Sequence, residues 1–160
     1  MSGDTLPPAT VALIDYSPDN APDFKRLNEA WIKRYFVMEK ADYRTLNHPD
    51  EYVIAPGGYI VMAVLNNEVV GTCALIKMSD GGYELAKMAV DDRVQGYGIG
   101  LKLCEHLIHR ARSQGAHRLY LESNRKLVPA LNLYRKVGFQ EIPIVGAGYD
   151  RVDIQMELIL

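Results

Sequence analysis

The sequence contains few residues of the types that cross-link a chain or bind a metal ion. Its 160 residues include only two cysteines and four histidines. Two cysteines cannot form a disulfide framework, and Cys73 and Cys104 both lie in apolar stretches, where a free cysteine is usually buried. His106 and His109 can share one face of a helix, but no carboxylate or cysteine completes a metal-binding set at the required spacing. We therefore predict no metal site and assign both histidines to a solvated helix face.

Net charge and long apolar segments are also scarce. The formal net charge is only −2, which does not favour the basic surface that nucleic-acid-binding proteins need. No apolar run is long enough to span a bilayer, and the N-terminus lacks the charged and then apolar segments of a signal peptide. We therefore expect a cytoplasmic protein that binds neither nucleic acid nor a membrane.

The composition is that of an ordinary globular protein, with 48% hydrophobic and 24% charged residues. A chain of this length buries roughly 68–70% of its unfolded surface, which is enough for one core without cross-links. We predict a single domain over residues 1–160. In it, a loose tail at residues 1–8 precedes a strand-and-helix segment at residues 9–58 and a core segment at residues 59–158.

The apolar pattern before residue 91 predicts one strand, two helices and three further strands. A short buried strand at residues 11–14 is followed by helical spacing at residues 20–35 and again at residues 38–46. Three strands come next, and their short links require antiparallel pairing: residues 59–65, 68–77 and 83–90. Asn66 and Asn67 predict a two-residue hairpin, because asparagine tolerates a positive φ.

Beyond residue 90, helices and strands alternate. An apolar stripe predicts a helix that ends at Gly115, and its members are Leu103, Cys104, Leu107, Ile108 and Ala111. A strand at residues 119–121 then implies a right-handed parallel crossover. A second helix ends before Gly138, and strands at residues 139–144 and 152–158 form a closing hairpin. The fold class is therefore α/β, with a mixed, mostly antiparallel central sheet and one parallel strand–helix–strand crossover.

A glycine-rich segment, Gln-Gly-Tyr-Gly-Ile-Gly at residues 95–100, lies between the strand at residues 83–90 and the next helix. The amides of a first helical turn point outward and favour an anion. Each glycine costs conformational entropy, so three of them favour phosphate binding over a plain connecting turn. A Rossmann site does not fit, because the third glycine comes one position early. A Walker A site does not fit, because Leu101 and Lys102 replace its Lys-Ser/Thr pair.

The glycine segment resembles the Gln/Arg-x-x-Gly-x-Gly/Ala element of the GCN5-related N-acetyltransferase (GNAT) superfamily. Three further stretches agree with that family. Residues 84–90 look like its fourth strand, residues 123–124 end its fifth strand, and Leu-Tyr-Arg-Lys-Val-Gly-Phe at residues 133–139 is similar to its Leu-Tyr-x-x-x-Gly-Phe element. The resemblance spans residues 59–158 and implies the acyl-CoA N-acyltransferase fold. It also implies an enzyme that moves an acetyl group from acetyl-CoA directly to an amine in a ternary complex.

The resemblance implies how the cofactor is held. Backbone amides of the glycine segment would bind the pyrophosphate: Gln95, Gly96, Tyr97, Gly98, Ile99 and Gly100. The edge formed by Met88, Ala89 and Val90 would pair with the pantetheine arm like an added strand, between splayed fourth and fifth strands. The amide of Met88 or a neighbour would polarise the thioester carbonyl. Asn124 and Asn132 would hydrogen-bond the same arm, or else form a strand-end turn and a solvated helix position.

The resemblance also implies catalytic roles for Glu84 and Tyr134. An alkylamine with a pKa of about 10.4 is about one part in a thousand neutral near pH 7.4, so the reaction needs a base. Glu84 matches the base of the histone-acetylating branch, and the alternatives are an ion pair with Lys87, a solvent-facing position, or water as the base. Tyr134 matches a tyrosine that protonates the departing thiolate. Its alternative role is packing, on a stripe with Leu131 and Val137.

The acceptor is the least specified part of the sequence, and a small-molecule amine and a peptide amine both fit. The segments that border the acceptor groove in relatives carry aromatic and basic residues, for which core packing or a surface hairpin is the alternative: Trp31, Tyr35, Phe36, Tyr43, Tyr149 and Arg151. The resemblance also allows a homodimer. Two other functions fit the sequence, namely a catalytically silent CoA-sensing module and a transferase of a longer acyl group.

Overall fold

The computed structural model describes residues 10–160, and the tail expected over residues 1–8 lies outside the described residues. Within that range, seven strands form one sheet: β1 Ala12–Asp15, β2 Tyr59–Leu65, β3 Glu68–Lys77, β4 Tyr83–Val90, β5 Arg118–Ser123, β6 Gln140–Ile142 and β7 Ile154–Ile159. Four α-helices accompany the strands: α1 Ala21–Tyr35, α2 Lys40–Asn47, α3 Ile99–Ser113 and α4 Val128–Lys136.

The sheet has the spatial order β1-β2-β3-β4-β5-β7-β6. Its strand pairs are antiparallel except for β4 and β5, which run parallel and are joined through α3. The predicted fold class, a mixed and mostly antiparallel sheet with one parallel crossover, is therefore confirmed. The last hairpin is present, but β7 lies between β5 and β6. The chain therefore forms the edge strand β6 before it forms the inner strand β7.

Local chemistry accounts for where several elements end. Asn66 and Asn67 have φ values of 52° and 64°, which gives the predicted two-residue hairpin its primed turn. Gly115 has a φ of 78° just after α3, as a C′ residue in a left-handed conformation does. The turn expected after Asn47 instead leads into a π-helical turn at Asp50–Ile54, which the sequence pattern did not indicate.

The sheet has an apolar core on each face. One core lies under α3 and α4 and includes the predicted apolar stripe of α3, together with Cys73 and Cys104. The other core lies under α1 and α2 and contains Phe24 and Ile32. The solvated position expected for His106 is wrong, because its side chain is half-buried and its Nε2 lies 3.1 Å from the hydroxyl of Tyr59.

A bulge interrupts β4 at the point that matters for the site. Ala74 of β3 pairs with Ala86, whereas Thr72 pairs with Ala89, so two residues of β4 lie opposite one residue of β3. The bulge contains Lys87, a non-glycine residue with a φ of 56°. The bulge shifts the alternation of side chains by one residue. Odd-numbered residues of β4 before the bulge and even-numbered residues after it therefore point to the same face of the sheet.

Candidate active site

The parallel strands β4 and β5 separate after a short paired segment. Only Tyr83 with Leu119 and Glu84 with Tyr120 are in register. Beyond Glu84, the edge of β4 that faces β5 has no strand partner among residues 10–160. Met88, Ala89 and Val90 lie on this unpaired segment, where an extended ligand arm can add to the edge through main-chain hydrogen bonds. The predicted splay is therefore present in the fold.

The glycine segment connects the end of β4 to the start of α3. Gly96 and Gly98 have φ values of 87° and 75°, and a Cβ built on either residue meets no atom within 4 Å. Gly98 precedes α3, and its carbonyl accepts from the amide of Lys102 at 3.1 Å. The amides of residues 99–101, which come before Lys102 in the first turn of α3, thus lack an intrahelical acceptor. Such donors at a helix N-terminus fit a pyrophosphate.

Two residues of the segment also have structural roles. A Cβ on Gly100 would lie 3.1 Å from Cδ2 of Leu133, so this glycine permits the close packing of α3 against α4. The side chain of Gln95 donates to the carbonyl of Val90 at 3.1 Å and braces the segment against the end of β4. Tyr97 projects into solvent with 62% of its surface exposed. The amides of Gln95 and Tyr97 already donate to the carbonyls of Asp92 and Val94 at 3.4 Å. The binding of phosphate by the amides of residues 95–100 stays a prediction.

The two asparagines predicted to contact the cofactor arm differ in their surroundings. Asn124 donates from Nδ2 to the carbonyl of Arg151 at 2.6 Å and accepts from the amide of Lys126 at 2.8 Å. Its side chain therefore joins the loop after β5 to the segment before β7. Asn132 is exposed on α4, and within residues 10–160 it has no side-chain hydrogen bond. Both cofactor contacts stay predictions.

Tyr134 combines a packed ring with a free hydroxyl. Its side chain is only 8% exposed, and its ring meets that of Phe139 edge-on at 5.9 Å between centres. The hydroxyl has no hydrogen-bond partner among the described residues. Burial raises the pKa of Tyr134 well above its usual value, and the neighbouring Cys104 and Cys73 add to the effect. The phenol therefore keeps its proton at neutral pH, as a general acid must before it reacts.

Glu84 lies on the face of the sheet covered by α1 and α2, because its cross-strand neighbour Ile76 packs in that core. Burial, together with the charge of Glu122, raises the pKa of Glu84 from 4.5 to about 7, and Lys87 partly opposes the shift. The ammonium of Lys87 is bonded to Asp42 at 3.1 Å. The alternative of a Glu84–Lys87 ion pair is therefore wrong, and Glu84 titrates in the range where a general base is effective.

Glu122 is a site residue that sequence reasoning missed. It lies on the same face as Glu84, two residues along β5 from the partner Tyr120. Its carboxylate accepts from the hydroxyl of Tyr120 at 2.7 Å and from Nε2 of Gln155 at 3.2 Å. The period-2 alternation along residues 118–123 could have indicated this position, once the register with β4 was known.

Asp42 is the centre of an ion cluster at the mouth of the opening. Its fully buried carboxylate accepts from Nζ of Lys87 at 3.1 Å and from both terminal nitrogens of Arg151 at 2.8 and 2.6 Å. Burial raises the pKa of Asp42, but the hydrogen bonds from Arg151 and the Glu39 amide and the charge of Lys87 outweigh burial and lower it. The cluster joins α2, β4 and the segment before β7. Sequence reasoning had named Arg151 and Lys87, but not Asp42 as their common partner.

The aromatic residues expected near the acceptor separate into two groups. The guanidinium of Arg151 lies 5.8 and 6.0 Å from the ring centres of Trp31 and Phe36, so these three side chains lie close together. Tyr35 and Tyr43 are each 45% exposed. Core packing therefore does not explain Tyr35 and Tyr43. Tyr149 accepts from Nζ of Lys87 at 2.7 Å, and an acceptor contact by any of the six predicted residues stays a prediction.

No group of three or more histidine, cysteine, aspartate or glutamate side chains within residues 10–160 is arranged to hold a metal ion. None of the helices in that range has both the length and the apolar character needed to cross a membrane.

Sequence comparison identifies the family. The sequence model of the Acetyltransferase (GNAT) family matches residues 20–139. The chain is 32% identical over 118 residues to the IAA acetyltransferase of Azospirillum brasilense, and the match covers 72% of each protein. It is 34% identical over 76 residues to the ribosomal protein bS18-alanine N-acetyltransferase of Escherichia coli, over 48% of this chain and 51% of that one. The chain therefore belongs to the GNAT acetyltransferase family and is an acyltransferase.

Solved structures share the fold. An acetyltransferase of the GNAT family from Staphylococcus aureus superposes with a TM-score of 0.83 at 23% identity, over 92% of this chain and 98% of that one. The structure of yncA from Salmonella typhimurium with its cofactor acetyl-CoA gives a TM-score of 0.71 at 18% identity, over 94% of both chains. At these identities the similarity shows the fold, which in yncA accommodates acetyl-CoA.

Proposed function

We propose that the protein transfers an acetyl group from acetyl-CoA directly to an amine in a ternary complex. The observation that supports this most is the separation of β4 and β5 immediately beyond Glu84. It leaves one opening with the amides of the α3 N-terminus beside it and a carboxyl group with a pKa of about 7 at its apex. A donor held along β4 and an acceptor entering from the α1 and α2 side would meet there.

The residues present fit the cofactor. Residues 95–100 would hold the pyrophosphate through amides, at positions where a Cβ on Gly96 or Gly98 would point into open space. Met88, Ala89 and Val90 would pair with the pantetheine arm, with Asn132 free to add a hydrogen bond. When bound, the thioester supplies the acetyl group that is transferred.

Each catalytic residue has one step in this proposal. The Glu84 carboxylate accepts a proton from the acceptor ammonium, so that the neutral nitrogen can attack the acetyl carbonyl carbon. The amide of Met88 or a neighbour stabilises the negative charge that develops on the carbonyl oxygen. As the C–S bond breaks, the Tyr134 hydroxyl donates its proton to the sulfur, and the second proton that the attacking nitrogen loses returns to the Tyr134 oxygen. Burial makes the phenol a weaker acid and a desolvated thiolate a stronger base, so the two effects oppose each other and the transfer depends on the position of the hydroxyl beside the sulfur.

The charges around the opening favour a cationic amine over an amino acid as the acceptor. Glu84 and Glu122 form no ion pair within residues 10–160, whereas the neighbouring cations Lys87 and Arg151 are both bonded to Asp42. An acceptor carboxylate beside Glu84 would therefore meet two carboxylates without ion pairs, while the cations Lys87 and Arg151 are already bonded to Asp42. Lys126, which lies 5.5 Å from the Phe36 ring centre, forms no ion pair within residues 10–160. The cytoplasmic location and the homodimer stay predictions from the sequence.

Release of free thiol tests the proposed function. The purified protein is mixed with acetyl-CoA and a panel of alkylamines, amino acids, peptides with free N-termini and peptides with internal lysine. We expect alkylamines or lysine side chains to release thiol fastest. A silent CoA-sensing module would bind acetyl-CoA without release for any amine. Comparison with longer thioesters then separates an acetyltransferase from a transferase of longer acyl groups.

Substitution of Gly98 tests the phosphate cradle, with Gly115 as a matched control. Both glycines have similar positive φ values, 75° and 78°, and a Cβ on either meets nothing within 4 Å. Gly98→Ala and Gly115→Ala should therefore destabilise the fold to a similar extent, by about 1–2 kcal/mol. Only Gly98→Ala should weaken acetyl-CoA binding in calorimetry, by about 10- to 100-fold, as expected when charge-assisted hydrogen bonds are lost. Equal affinities in the two folded variants would place the cradle elsewhere.

A further inference from the structure

The bulge in β4 holds a lysine in a conformation that lysine disfavours. Lys87 has a φ of 56°, in the left-handed region where a Cβ crowds the following carbonyl. Asn66 and Asn67 are the other non-glycine residues with positive φ in the described chain, and both belong to a hairpin turn that selects such values. No turn sequence explains Lys87. Surrounding contacts must therefore maintain its conformation.

The Lys87 side chain is anchored by residues that come from elsewhere in the chain. Its Nζ donates to Asp42 Oδ1 at 3.1 Å and to the Tyr149 hydroxyl at 2.7 Å. Lys87 is 8% exposed and Asp42 is fully buried, so this ion pair is shielded from solvent. Arg151 holds Asp42 on its other side through two hydrogen bonds. The carboxylate that receives the lysine is thus itself fixed in place.

The bulge decides which way the next residues face. Leu85 and Met88 both pack toward the core under α3, although residues three apart in a regular strand lie on opposite faces. If Lys87 moved to an extended conformation, the residues from 88 onward would point to the opposite faces of the sheet. The amides proposed to polarise the thioester and the edge proposed to bind the pantetheine arm begin at that residue.

We propose that Asp42 and Lys87 are positioning residues, whose ion pair holds the β4 bulge and so fixes the direction of the amides that follow it. This inference rests on the proposed function for the role of those amides, and on the structure alone for the tether. Asp42 lies on α2, outside the segment that carries the glycine and tyrosine motifs. A change in the position of α2 would therefore alter the geometry of the site through the side chain of Lys87.

Comparison of Lys87→Ala with Lys87→Gly tests the proposal. Both variants remove the ammonium, and in both Arg151 still pairs with Asp42. Glycine adopts a positive φ without a tether, whereas alanine does not. In Lys87→Ala, we expect the amide NMR shifts of Ala86 and Met88 to move and kcat to fall by about 5- to 30-fold, the population factor that corresponds to left-handed backbone. Lys87→Gly should retain the wild-type shifts and recover most of the kcat that Lys87→Ala loses.

Tyr149→Phe is the control variant. It removes the other hydrogen-bond partner of Lys87 and should leave the amide shift of Met88 unchanged. Unmoved Met88 shifts in Lys87→Ala would overturn the tether, whether or not any amine is acetylated. Shifts that move with kcat unchanged, or equal losses of kcat in the alanine and glycine variants, would overturn the positioning role. Asp42→Asn is less suitable, because it leaves Lys87 and Arg151 near an uncharged buried group and can unfold the protein.

Discussion

Tyr134→Phe should lower kcat by about 10²- to 10⁴-fold, the usual contribution of a general acid, with little change in stability. The substitution removes one oxygen that makes no hydrogen bond within residues 10–160 and keeps the ring against Phe139. Acetyl-CoA affinity should change far less, since a hydrogen bond contributes only about 0.5–1.5 kcal/mol net. Rates are measured under conditions in which chemistry limits turnover, and affinity by calorimetry.

Tyr59→Phe is the matched control. Tyr59 is also 8% exposed, but its hydroxyl donates to Asp15 at 2.5 Å and lies 3.1 Å from Nε2 of His106, two strands away from β4. We expect this variant to lose stability and keep kcat, the reverse of Tyr134→Phe. A Tyr134→Phe enzyme with near-wild-type kcat would leave packing as the role of that residue.

Glu84→Gln should lower kcat/KM by about 10²- to 10⁴-fold near pH 7. With a pKa of about 7, Glu84 becomes a base as the pH rises through neutrality, so the wild-type kcat/KM should rise there. The variant should lack this step, and its defect should shrink toward high pH, where the amine is already neutral. A defect that is constant from about pH 6.5 to 9.5 would point to water as the base.

Two further measurements identify Glu84 as the titrating group. Glu122→Gln removes a charge that raises the pKa of Glu84, so the rise in kcat/KM should move to lower pH.

Folding raises the pKa of Glu84 from 4.5 to about 7, so the folded protein binds more protons than the unfolded chain between these values. The contribution of Glu84 to the free energy of unfolding therefore decreases as the pH rises through that window. Above pH 7, Glu84→Gln should be more stable than wild type by up to about 3 kcal/mol.

The elements of the fold were largely predictable because each depends on local residues. The strands at residues 59–65, 68–77 and 83–90 follow from apolar runs and turn residues, and they agree with the structure to the residue. The insertion of β7 between β5 and β6 was not predictable in this way, because a hairpin specifies which strands pair and not which of the two joins the rest of the sheet.

The site was predictable where motifs mark it and not where distant segments meet. The glycine segment and Tyr134 were found because neighbouring residues form a pattern. Asp42, Lys87 and Glu122 belong to no such pattern. Asp42 and Lys87 are 45 residues apart, and their pairing depends on a positive φ at a lysine that no propensity favours. The role of Gly100 in helix packing was likewise hidden, since it depends on Leu133 across the helix interface.

The position of β7 has a consequence for synthesis on the ribosome. Residues 140–142 form β6, and their partner strand in the sheet is β7, which leaves the ribosome later. Until residues 154–159 emerge, β5 exposes the edge that β7 will occupy, and β6 has no strand to join. The nascent chain therefore carries an open edge on β5 from the emergence of residue 123 until that of residue 154, and chaperone binding or aggregation should be most frequent at chain lengths just short of β7.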